Sequence, residues 1–111
     1  MARPHRRAEV EAALRLIAPR IPAHELGAAL DHALDSAGLR SASAETAAWL
    51  SLISYVRHAL TDYDELLRQG YERDSARYFV AQDMDAILAG WGVTRPVRAE
   101  ASFRPNEPAD E

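Results

Sequence analysis

The chain contains neither cysteine nor lysine. Without cysteine there are no disulfides, no thiolate nucleophiles and no zinc site built on sulfur. Without lysine, all 13 basic residues are arginine. Two readings account for that. One is a GC-rich coding bias that favours Arg and Ala codons. The other is recognition of phosphate or carboxylate by planar, bidentate guanidinium groups. The first takes precedence, because the arginines are scattered and only Arg3, Arg6 and Arg7 cluster tightly. Long apolar runs are also missing; none approaches the roughly 20 residues that span a bilayer. The N-terminal "MARPHRRAEV" is basic, but no apolar segment follows it. It is therefore not read as a secretory signal, and the expected location is the cytoplasm. No stretch alternates polar and apolar residues for long enough to read as a strand. Nor is there a phosphate-binding glycine loop, a serine in a nucleophile elbow or a His-Glu-x-x-His pattern.

The 111 residues suit one domain, and the net charge of −4 argues against broad, charge-driven nucleic-acid binding. What the chain has in abundance is apolar residues at helical spacing. Residues 5–18 predict a first helix, started by Pro4, with Val10, Ala13, Leu14 and Ile17 on one face. "APRIP" interrupts it, and Pro22 suits the first turn of a second helix. There Leu26, Ala29, Leu30, Ala33, Leu34 and Ala37 form a stripe, and Gly38 is expected as a left-handed C-cap. Ser41 or Ser43 caps a third helix, with Glu45 in its first turn. That helix is the most apolar: Trp49, Leu52, Ile53, Val56 and Leu60 share a face, which marks it as central. Thr61 opens a short fourth helix with Asp62, Asp64 and Glu65 in its first turn, and Gly70 closes it. A last helix is predicted from about Asp74, its cap, to Ala89, with Gly90 and Gly92 stopping it. From Val93 the pattern fails, and residues 93–111 read as a flexible tail behind a helical domain of residues 1–92. The expected fold is all-α: a compact single domain of four to five short helices. Trp49, Leu52, Ile53, Val56, Phe79, Val80 and Ile87 are its predicted core.

The chemistry-bearing residues gather in "YVRHALTDYDELLRQGY", residues 55–71. If the third helix ran unbroken through Asp62, His58 and Asp62 would stand one turn apart on one face. Such a pair can hold a metal or orient an imidazole for acid–base work, and Asp64 and His32 are the further ligands it would draw on. Two ligands make no metal site, however, and such pairs are common on helices. The second reading uses the same residues as the joint of two helices. Thr61 caps, Asp62 and Asp64 offset the positive end of the new helix, and Arg57 and His58 stand in the last turn of the old one. Tyr63 covers the corner with an apolar ring and a polar tip. The joint is the preferred reading. Elsewhere, Asp31, His32 and Asp35 read as solvated surface. Arg73 and Arg77, one turn apart, would form a basic face with Arg57 and Arg68 if the helices fold back on one another.

Residues 47–92 resemble a family catalogued as domain of unknown function 2293 (DUF2293). The likeness rests on an apolar helix leading into "RHALTDYD" (Arg57 to Asp64), then Arg73, Ala76 and Arg77, then Trp91. It implies importance for the joint, and no reaction. Neither a metal nor a cofactor is expected, and no residue is assigned a catalytic role. The leading expectation is a non-enzymatic helical interaction module, with a protein partner or a homo-oligomer. An accessory protein binding nucleic acid through the arginine face is the alternative, and a hydrolase or metal site around His58 ranks last. The residues that would carry binding are Arg57, His58, Thr61, Asp62, Tyr63, Asp64, Arg73 and Arg77.

Overall fold

The computed structural model describes residues 4–95. Within them lie five α-helices: α1 (Pro4–Ile17), α2 (Ala23–Asp35), α3 (Ala44–Leu60), α4 (Tyr63–Arg68) and α5 (Arg73–Gly90). A single 3-10 turn, Ala37–Leu39, follows α2, and no described residue is in a strand. The domain is all-α, as the periodicity predicted.

The third helix is central because it is apolar or small on nearly every side. Ala47, Ala48, Trp49, Ser51, Leu52, Ile53, Ser54 and Val56 are all buried. A helix covered all round needs neighbours all round. The hairpin of α1 and α2 packs along α3, and α5 also packs on it. Small residues let the backbones approach. The buried Ser51 hydroxyl donates to the Ala48 carbonyl, so its polarity is met within the helix. Ser43 is the N-cap, its hydroxyl accepting from the Thr46 N–H at 3.1 Å. A cap of that kind contributes about 1 kcal/mol.

Two boundaries depart from expectation. Gly38 is not a left-handed cap; α2 ends at Asp35, and Gly38 sits inside the 3-10 turn. The turn is held from outside, by an Arg6 guanidinium donating to the Leu39 carbonyl at 2.9 Å. Asp74 is not the cap of α5, which starts one residue earlier, after Glu72, with no side-chain cap. Val93 is buried in the core and the Arg95 guanidinium lies 4.2 Å from the centre of the Trp49 ring. The first residues beyond the expected boundary at 92 are therefore packed. The remainder of the expected tail, 96–111, lies outside the described residues, as does Arg3 of the basic cluster.

Both short-range stops are Schellman closures. After α4, the Gly70 N–H donates to the Leu67 carbonyl and the Tyr71 N–H to the Leu66 carbonyl. After α5, the Gly92 N–H donates to Ala89 and the Val93 N–H to Leu88. Each motif needs one residue at positive φ, and Gly70 (101°) and Gly92 (91°) supply it.

Of the predicted core, Trp49, Leu52, Ile53, Val56 and Val80 are buried and Ile87 is half-buried against them. Phe79 is not in the core: it is 55% exposed. The buried side of α5 is Ala76, Val80, Ala81, Met84 and Leu88, a face centred between Val80 and Ala81 rather than on Phe79. Phe79 stands about 100° round the helix from Val80. Only one face of α5 is covered, so that small rotation puts it in solvent.

Tyr55 ties α2 to α3. Burial raises the pKa of its phenol above 10.0, and the nearby Glu25 charge and a hydrogen bond to Glu25 raise it further. A phenol whose pKa is higher folded than unfolded contributes stability below pH 10.0 and loses it as pH rises through the folded value. Denaturant midpoints measured between neutral pH and about pH 11 should therefore fall more steeply for the natural chain than for Tyr55→Phe. Parallel curves would disprove the link.

Candidate functional site

The polar segment at residue 61 is a break between two helices, as the preferred reading held. α3 stops at Leu60, Thr61 is extended (φ −130°, ψ 176°), and α4 begins at Tyr63. Thr61 works on both sides of the break. Its hydroxyl donates to the Arg57 carbonyl one turn back and accepts from the Tyr63 N–H at 3.2 Å. One side chain thus serves a terminal carbonyl of α3 and a terminal donor of α4.

Tyr63 is the hub of the joint. It is fully buried, the largest side chain in the core to be so. The Arg57 guanidinium lies over its ring, 5.7 Å from the centroid. The His58 imidazole meets the same ring edge-on, with centroids 5.1 Å apart at 83°. The ring covers the corner as expected, and its polar tip is buried with it: the Tyr63 hydroxyl has no hydrogen-bond partner among the described residues. A guanidinium over a ring is favourable because the quadrupole presents negative charge at the face. At 4% exposure Arg57 belongs to the interior. Removing a guanidinium from water is costly, so the ring face and the carbonyl end of α3 matter there.

His58 pairs with Asp64, not with Asp62: its Nδ1 is 2.8 Å from Asp64 Oδ1. The bond runs from the last turn of α3 to the first turn of α4, and both side chains are part-exposed. Asp62 is exposed and takes part through its backbone, its carbonyl accepting from Leu66 N–H at 2.9 Å. The structure therefore gathers Arg57, His58, Thr61, Tyr63 and Asp64 and leaves Asp62 outside.

Chemically, this arrangement has an oriented imidazole, and the Thr61 hydroxyl beside it already bonds two backbone groups. Among the described residues, no three His, Cys, Asp or Glu side chains are grouped to hold a metal ion.

Of the four arginines read as one basic face, Arg57 does not reach the surface, and Arg68 is bound to Glu65 at 2.8 Å. Hydrogen bonds from Arg68 and then Gln69 hold the Glu65 carboxyl below its usual range. Arg73 is exposed at the first position of α5 and Arg77 is half-buried on the same helix.

A second cluster escaped the sequence reading. Tyr71, Tyr78 and Phe79 are all exposed, and their rings touch edge to face. Tyr71 and Phe79 centroids are 5.5 Å apart at 89°, and Tyr78 and Phe79 are 5.9 Å apart at 71°. Tyr78 and Phe79 both precede the buried pair Val80 and Ala81, and both fall outside the face that the core covers. "RYFV" was therefore the available signal, obscured by assigning Phe79 to the buried stripe.

A family model described as "Uncharacterized conserved protein (DUF2293)" matches residues 13–92. The chain belongs to the DUF2293 family. The match runs from the last five residues of α1 to the glycine that closes α5, so it takes in the turn between α1 and α2 and all of α2 as well as the joint. The resemblance read from residues 47–92 therefore covered only part of the DUF2293 region. No curated protein and no solved structure gives a significant match to the chain. No described helix is long and apolar enough to cross a membrane.

Proposed function

We propose that this DUF2293 protein is a non-enzymatic interaction module whose contact surface is the Tyr71–Phe79–Tyr78 cluster. The observation that carries the reading is the exposure of three aromatic rings, Tyr71 and Tyr78 each packed edge to face on Phe79, with Tyr78 at 73% and Phe79 at 55%. Contiguous apolar patches on a protein surface mark binding sites, and aromatic side chains dominate the energetics of interfaces. At the joint, by contrast, His58 is engaged with Asp64 and the Thr61 hydroxyl with the ends of both helices, which is what a structural corner needs.

Aromatic rings beside an exposed arginine also suit single-stranded nucleic acid, whose bases stack on them. That reading draws on Arg73 next to Tyr71, but has lost Arg57 and Arg68 from its basic face. One variant, Tyr78→Ser with Phe79→Ser, tests both readings. Both positions are exposed, so its thermal midpoint should stay close to that of the natural chain. Affinity capture and mass measurement should show an association that the natural chain makes and the variant loses. Binding of short DNA or RNA that weakens steeply with salt would favour the second reading. A natural chain that is strictly monomeric and retains nothing would disprove the first.

A further inference from the structure

We propose that the surface is filled by a second copy of the same chain, docked through antiparallel α5 helices about a two-fold axis near Gln82 and Asp83. The proposal rests on reading the aromatic cluster as a contact surface, and it names the occupant.

The exposed stripe of α5 changes character along its length. Its N-terminal half presents Tyr78 and Phe79; its C-terminal half presents Ala86, Ala89 and Gly90. Gln82 and Asp83 lie between the halves, also exposed. A Cβ built on Gly90 would meet nothing within 4 Å, so the space above the small end is open. A two-fold axis at the middle of the stripe brings the large half of each helix onto the small half of the other. Counting outward from Gln82 and Asp83, Phe79 faces Ala86 of the second copy and Ser75 faces its Gly90. Phe79 on Ala86 sets large against small, and Ser75 on Gly90 sets small against small so that the backbones can approach, which is how close helix packing is achieved. A parallel pairing would set aromatic against aromatic and leave the small halves apart.

Charge favours the same arrangement. The N-terminal end of α5 carries the exposed Glu72, Arg73 and Asp74, two acids and one base, so it is net acidic. Its C-terminal end has no basic residue of its own but lies beside Arg20, whose guanidinium donates to the Ala89 carbonyl at 3.4 Å. Reversing one helix sets Glu72 and Asp74 of each copy against Arg20 of the other. It also opposes the two helix dipoles, the favourable sense. A surface that complements itself in shape and charge under a half-turn is what an isologous dimer requires. With 18 residues, α5 is about 27 Å long. A helix pair of that length lies at the small end of specific interfaces, so the dimer is expected to form in a concentration-dependent way.

Because the chain has no cysteine, one introduced residue can report the geometry. Gln82→Cys, next to the axis, should oxidise to a disulfide-linked dimer, because near the axis the two Cα atoms come within the roughly 6 Å that a disulfide bridges. Leu16→Cys, 84% exposed on α1, is the control and should remain largely unlinked. Adding Phe79→Glu to Gln82→Cys should abolish the linkage without lowering the thermal midpoint. In parallel, the mass of the natural chain in sedimentation should rise toward that of a dimer with concentration. Linkage at position 82 no faster than at position 16, or linkage indifferent to Phe79→Glu, overturns the proposal. A monomeric mass throughout, with capture of a different partner that depends on Tyr78 and Phe79, overturns the self-pairing and leaves the contact surface standing. A monomer that captures nothing overturns both.

Discussion

Tyr63→Ala should cost about 3–5 kcal/mol of folding free energy, the range for deleting a buried aromatic side chain. Domains of this size have only about 5–15 kcal/mol in total. The thermal midpoint should therefore fall by at least about 12 °C. The reason goes beyond lost apolar area. Tyr63 has zero exposure, its ring is the surface under the buried Arg57 guanidinium, and its edge contact fixes the His58 ring. Truncation leaves a cavity and takes the aromatic face away from a buried cation, which is costly in its own right. Tyr63→Phe separates these effects. It keeps the ring, the cation contact and the packing, and removes a buried hydroxyl that has no partner among the described residues. An unmade hydrogen bond of a buried group costs about 1–3 kcal/mol, so its deletion should be neutral or stabilising. Denaturant unfolding of the two variants decides. If Tyr63→Phe is as damaging as Tyr63→Ala, the hydroxyl has a role that this geometry does not give it.

Gly92→Ala should be the second severe change, at about 2–5 kcal/mol, from backbone strain added to overpacking. Gly92 has φ 91°, and its new Cβ would stand 2.9 Å from Pro19 Cγ and 3.0 Å from Pro19 Cδ. A proline ring cannot swing aside. Relief would require moving the segment between α1 and α2, which is anchored by Arg20 N–H donating to the Trp91 carbonyl at 2.9 Å. The closure after α5 is thus also the clasp that holds the far end of the helical hairpin. Gly70→Ala is the comparison. Its φ is 101°, yet a Cβ there meets nothing within 4 Å. It should cost only the strain of positive φ, about 1–3 kcal/mol. Equal losses in the two variants would show that the contact with Pro19 contributes nothing.

The joint shows how far residue patterns reach. "RHALTDYD" was legible as a helix break because its signals are local. A threonine hydroxyl, a run of acids and a basic last turn all act within one turn of backbone. Which acid meets His58 was not legible. On a continuous helix Asp62 would be the partner, but the break redirects the chain and brings Asp64 to 2.8 Å instead. The depth of Arg57 and Tyr63 was likewise out of reach, since both residue types are at home on surfaces as well. The error at Phe79 has the same origin. Periodicity gives the angular position of a residue on a helix, not how much of the circumference the neighbours cover.

The amino-acid order alone determined that this is a helical domain, where most of its helices start and stop, and which helix is central. Those features depend on interactions between residues a few positions apart, or on apolar content that must be buried somewhere. The packing decided what the pattern left open: the interior place of Arg57, the hub at Tyr63, the His58–Asp64 bond and the three exposed rings. Each depends on which helices lie against which, and that is set by contacts between distant parts of the chain, which no local spacing encodes.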